Sequence, residues 1–133
     1  MTSSNLDEKK LANIFKLLPA VKLVYFFGSK ALGKEGPLSD YDFAVYLDEQ
    51  DAKKRFQTRM ELLGKLSISL GTDKIDLSVL NDIERPELKY SIITSGHVIY
   101  EREPFKILLE PKILNEYFDF MDGLKRFGLT RNI

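Results

Sequence analysis

The chain has no cysteine, no tryptophan and a single histidine among 133 residues. Disulfides and thiolate metal sites are excluded, and one imidazole is too little to build a zinc centre. A chain without cysteine suits the cytoplasm, where we expect it to act. Neither sign of charge prevails, because 20 Lys and Arg balance 20 Asp and Glu. Proteins that grip polyanions ordinarily carry a basic excess, so direct nucleic-acid binding is not expected. No apolar run approaches the ~18 residues of a membrane span, and the opening MTSSNLDEKK lacks the apolar stretch of a leader. No membrane partner is expected.

Apolar residues make up 44% of the chain. A chain of this length can bury roughly two-thirds of its unfolded surface. No repeat, linker or low-complexity tract interrupts it, so residues 1–133 read as one domain.

Helical and strand patterns alternate along that domain. Leu11, Ile14, Phe15 and Leu18 recur at helical spacing over residues 6–18, and Pro19 closes the segment. Residues 21–27 read as a buried strand, with Tyr25, Phe26 and Phe27 as packing residues. About one helical turn follows at 29–32, then a loop holding Gly33, Gly36 and Pro37. Residues 40–47 form a second strand, with Phe43, Val45 and Leu47 on one face.

A long helix is expected over 51–70, with a stripe of Ala52, Phe56, Met60, Leu63, Leu66 and Leu70 and a stop at Gly71. Lys53, Lys54 and Arg55 read as its solvated face. Residues 74–80 alternate strictly, with Ile75, Leu77 and Val79 inward and Asp76 and Ser78 outward. Pro86 opens a further helix that Gly96 ends. Residues 97–100 make a short edge strand, and His97 at its start carries no expected catalytic role. A final amphipathic helix, with Pro111 near its start, spans about 111–127. Its Tyr117, Phe118, Phe120 and Phe127 read as core, with partner contact as the alternative.

The chemistry concentrates in residues 28–42, GSKALGKEGPLSDYD. Gly28 lets backbone amides approach a ligand closely, and Ser29 can cap the turn that follows, whose free N–H groups favour an anion such as phosphate. Side chains two apart on a strand point the same way, so Asp40 and Asp42 present two carboxylates on one face, with Tyr41 turned from them. Such a pair repels unless a cation lies between. If the third strand lies beside the second, Asp76 joins the cluster. Three carboxylates and phosphate oxygens can hold two Mg²⁺ ions about 3.5–4 Å apart.

Gly28-Ser29, then Asp40-Tyr41-Asp42, then Asp76 in a later strand resembles the nucleotidyltransferase superfamily of DNA polymerase beta. The short chain is similar to its minimal nucleotidyltransferase branch, the MntA-type antitoxins. The likeness runs from about Val21 to Tyr100. It implies an α/β (α+β) fold, a small mixed sheet flanked by helices, with a catalytic core over about 21–100. It also implies nucleotide binding at Gly28 and Ser29, and Mg²⁺ binding and catalysis at Asp40, Asp42 and Asp76. Where many relatives carry two arginines after Gly-Ser, this chain has Lys30 and Leu32. Lys30 still offers a phosphate its point charge, without the fork of Arg.

Superfamily members that modify small molecules carry a further domain for the acceptor. Here some thirty residues follow Tyr100, enough for one helix. The resemblance therefore implies an acceptor with its own surface: a HEPN-type (HepT) toxin, whose tyrosine receives AMP from ATP in a type VII toxin–antitoxin pair. Two readings stay open beside this Mg-dependent protein adenylyltransferase. One is an antitoxin that acts by binding alone, and the other is nucleotidyl transfer to a small molecule.

Overall fold

The computed structural model describes residues 6–31 and 40–128. The expected loop, Leu32 and Gly33 to Ser39, lies outside the described residues. The elements run α1 (Glu8–Lys16), β1 (Val21–Phe27), the single turn α2 (Gly28–Ala31), β2 (Tyr41–Leu47), α3 (Ala52–Leu70), β3 (Ile75–Val79), α4 (Pro86–Ser95), β4 (His97–Glu101) and α5 (Phe105–Arg126). Local chemistry sets their ends. The side chain of Asp7 accepts from the Lys10 amide at 3.1 Å and that of Asp51 from the Lys53 amide at 3.0 Å, so each satisfies a helix N–H that has no partner within its helix. Gly71 ends α3 at φ 69°, the left-handed conformation that glycine adopts without a Cβ clash.

The four strands form one mixed sheet in the order β3-β2-β1-β4. β1 pairs antiparallel with β2 and β4, while β2 and β3 run parallel. Parallel neighbours need a crossover, and α3 supplies it. β4 lies at an edge, as its sequence suggests. At the other edge the Arg59 guanidinium of α3 donates to the Leu77 carbonyl at 2.8 Å, which occupies an acceptor that an edge strand would otherwise expose.

The alternation of strand side chains divides the core in two. Phe43, Val45 and Leu77 meet Leu11, Phe15, Leu62 and Leu66 of α1 and α3 on one face. Leu23, Tyr25 and Ala44 meet Ile92 of α4, with Leu109 of α5 packed against them, on the other. A register shift between Val21 and Leu23 puts these two residues, two apart, in opposite cores. Tyr25 is buried and its hydroxyl donates to Glu110 of α5 at 2.5 Å, which ties that helix to the central strand.

Two helices depart from their expected stripes. Phe56 and Met60 of α3 are 60% and 46% exposed, and the buried residues are Leu62 and Leu66. The first turns of α3 are held instead by Arg55, which pairs with Asp82 at 2.7 Å. The last helix starts at Phe105 and contains Pro111, where the sequence suggests a start near 111. Pro111 is exposed, so the carbonyl left without an intrahelical donor can bond water. The one buried residue of α5 is Ile113, and none of the four aromatic residues read as core is buried. Tyr117 stacks on Tyr90 at 3.9 Å, while Phe118 and Phe127 are exposed. No helix among the described residues is long and apolar enough to cross a membrane.

Candidate active site

The registers of three strands converge on one row: Phe27 of β1 pairs with Asp42 of β2, which pairs with Asp76 of β3. Neighbouring strands lie about 4.8 Å apart, so a register pair on parallel strands brings its two side chains together on one face. Asp42 shares the alternation of Ala44, which places it on the α4–α5 side. Phe43 and Val45 point into the opposite core. Asp40, just before β2, and Asp76 are exposed, and Asp42 is half-buried. Tyr41 packs from the first core side against Phe26 and Phe43, turned from the carboxylates as its position between them requires.

Burial raises the Asp42 carboxyl from 3.8 to about 6, aided by the charges of Asp76 and then Asp40. Lys30, in the turn that follows β1, has its ammonium 4.7 Å above the ring of Tyr41. This cation–π contact holds it over a side chain of the other face.

Gly28 has φ 83°, and a Cβ built there would lie 2.0 Å from Oδ2 of Asp42. The sequence suggests a glycine that admits a ligand to the backbone. In the folded chain its missing side chain first makes room for the Asp42 carboxyl. Ser29 falls inside the turn Gly28–Ala31 and not ahead of it as a cap; its side chain lies outside the described residues. Gly96 is a second close approach. Its φ is −81°, so it ends α4 in ordinary extended geometry, but a Cβ there would meet the Ile92 carbonyl at 2.4 Å. His97 is exposed.

As they stand, no three His, Cys, Asp or Glu side chains among the described residues are gathered into a metal cage. The donor chemistry still fits Mg²⁺, a hard cation that binds through one or two carboxylates and completes its shell with substrate phosphates and water. Side-by-side carboxylates, one of them raised by burial and by the charge of its neighbours, are a set that a divalent cation relieves. Arg59 is the residue that sequence reasoning missed here, because it looks like one more charge on a helix. Its bond to Leu77 fixes the strand one residue beyond Asp76.

Residues 9–105 match the family model described as Polymerase beta, Nucleotidyltransferase. The chain belongs to this family. The mixed sheet with helices on both faces is the nucleotidyltransferase fold that the resemblance implies. Over 107 residues, 75% of this chain and 69% of the relative, it is 31% identical to Protein adenylyltransferase MntA of Aphanizomenon flos-aquae (strain 2012/KM1/D3). A crystal structure of a toxin-antitoxin with AMP-PNP superposes with TM-score 0.74 at 25% identity, covering 92% of this chain and 95% of that one. The tri-AMPylated Shewanella oneidensis HEPN toxin in complex with MNT antitoxin gives TM-score 0.67 at 24% identity, covering 90% and 91%. At that identity the likeness is one of fold.

Proposed function

We propose that this nucleotidyltransferase moves AMP from ATP onto a tyrosine of a HEPN-type toxin and so acts, in the cytoplasm, as the antitoxin of a type VII pair. Residues 1–133 serve as one domain for this task. The observation that carries the reading is the register pair Asp42–Asp76 beside a glycine that leaves room for the carboxyl. Support for the acceptor comes from a 31% identical protein adenylyltransferase and from a structural neighbour that binds an ATP analogue.

In this reading the turn at Gly28, Ser29 and Lys30 receives the triphosphate. Backbone amides face its oxygens, and Lys30 leaves Tyr41 to add its charge. Asp40, Asp42 and Asp76 hold Mg²⁺, which, when bound, neutralises phosphate charge and polarises the α-phosphoryl group. The acceptor oxygen attacks the α-phosphorus in line with the leaving group. A new O–P bond forms, the bond to the bridging oxygen of pyrophosphate breaks, and pyrophosphate departs with that electron pair. Asp76, the exposed member of the pair, accepts or steers the hydroxyl proton. A tyrosine hydroxyl, with an ordinary pKa of about 10, needs that help at neutral pH.

Intact mass spectrometry of the toxin after incubation with this chain, ATP and Mg²⁺ tests the proposal. The toxin should gain adenylyl groups and lose activity, and the toxin with its acceptor tyrosine changed to phenylalanine should gain none. A toxin that is silenced while its mass is unchanged would make this an antitoxin by binding alone.

A further inference from the structure

On the face of the sheet away from the carboxylates, α1 and α3 meet and leave an open groove of about 440 Å³. Ile14, Leu17 and Ile68 supply its apolar lining, and Lys10 from α1 and Lys65 from α3 line it too. Leu17 is 66% exposed and Ile68 85%. A single exposed aliphatic residue is ordinary; here two, one at the C-terminal end of α1 and one on α3, line the same groove. Neither Lys10 nor Lys65 forms a side-chain ion pair among the described residues. The apolar lining is therefore flanked by one lysine from each helix that forms no ion pair among the described residues.

We propose that this groove docks an amphipathic α-helix of the acceptor protein, with an apolar ridge flanked by carboxylates that pair with Lys10 and Lys65. The proposal rests on the adenylyltransferase reading above. The spacing of the lining residues argues for a helix. Lys10, Ile14 and Leu17 stand at i, i+4 and i+7, and Lys65 and Ile68 at i and i+3. Two such helix ridges leave a track that accepts the i, i+3, i+4 ridge of a third. No strand edge lies there, so an extended peptide would have nothing to bond its backbone, whereas a helix satisfies its own. The sign of the charge argues for acidic flanks, because a basic helix would be repelled at both sides. The docking surface and the carboxylate row lie on opposite faces of the sheet, so holding the acceptor and modifying it are separable.

The test is the affinity of the full chain for the HEPN-type toxin in nucleotide-free buffer, with the adenylylation rate measured alongside. Ile68→Asp should weaken binding about tenfold or more, since it puts a charge where an apolar anchor belongs. The pair Lys10→Glu and Lys65→Glu should weaken it by a similar factor at low salt and flatten its salt dependence. Both should raise KM for the toxin and leave kcat at saturating toxin unchanged. Because these side chains lie at the surface, circular dichroism and melting should match the parent. Equal affinity for the parent and all variants would overturn the docking site, and AMP on the toxin would in that case leave the adenylyltransferase reading standing. Self-association of the parent that the variants abolish, with toxin affinity unchanged, would also overturn it. A parent that neither binds nor modifies the toxin would end both readings together.

Discussion

Gly28 and Asp42 share one space: a methyl group on the glycine would lie 2.0 Å from the carboxylate oxygen of the aspartate. The end of the first strand and the start of the second are thereby made for each other. The φ of 83° at Gly28 adds a backbone reason to the steric one.

Gly28→Ala should cost roughly 1–3 kcal/mol of stability, from the left-handed backbone together with displacement of Asp42. The two sources separate in a double-mutant cycle. In an Asp42→Ala background the clash with the carboxyl is removed and only the tight 3.2 Å contact with the Cβ of residue 42 remains, so the same substitution should cost about 1 kcal/mol less. Denaturant unfolding of the four proteins measures this coupling, and additive costs would mean that the glycine serves the backbone alone.

The raised Asp42 carboxyl predicts a pH dependence of the metal-free protein. Between about pH 3.8 and about 6 the folded chain keeps a proton on Asp42 that the unfolded chain has lost. The folded state binds more protons there, so stability falls as pH rises through that window. Asp42→Asn removes this dependence. It should match the parent below pH 3.8 and exceed it above pH 6 by on the order of 1 kcal/mol, a figure discounted for the solvent that screens a half-buried group. Melting curves against pH with and without Mg²⁺ decide it, and the ion should lift the parent alone. A parent whose melting temperature rises from pH 4 to 6 relative to Asp42→Asn would contradict the account.

Arg59→Met should cost about 1–2 kcal/mol, because it leaves the Leu77 carbonyl without its donor. The strand that carries Asp76 should loosen with it. Hydrogen exchange of β3 amides should speed up in Arg59→Met while β1 amides stay protected, and uniform protection would remove Arg59 from this role.

Much of this was legible in the sequence, and the exceptions have physical causes. Strict alternation through Ile75, Leu77 and Val79 set the faces of β3, and Gly28-Ser29 with Asp40-Tyr41-Asp42 marked the candidate site. Side-chain periodicity offers more than one face for α3, so Phe56 and Met60 looked like core although the face turned to the sheet carries Arg55, Arg59, Leu62 and Leu66. Pro111 looked like a helix start because proline usually is one, and only its exposed position in α5 explains its place inside. The register of Asp42 with Asp76 depends on which strands pair, and that is a property of the whole chain. The contact of Lys30 with the ring of Tyr41 likewise depends on the pairing of β1 with β2 and not on local pattern.

The rate at which Asp42→Asn and Asp76→Asn transfer AMP to the toxin, at saturating ATP, Mg²⁺ and toxin, tests the central claim most directly. The carboxylate row is taken to carry the chemistry while the groove on the opposite face holds the acceptor. Each variant should therefore bind the toxin as the parent does and transfer AMP at least about a hundredfold more slowly. Transfer by either variant at near the parent rate would contradict the assignment of the reaction to this row.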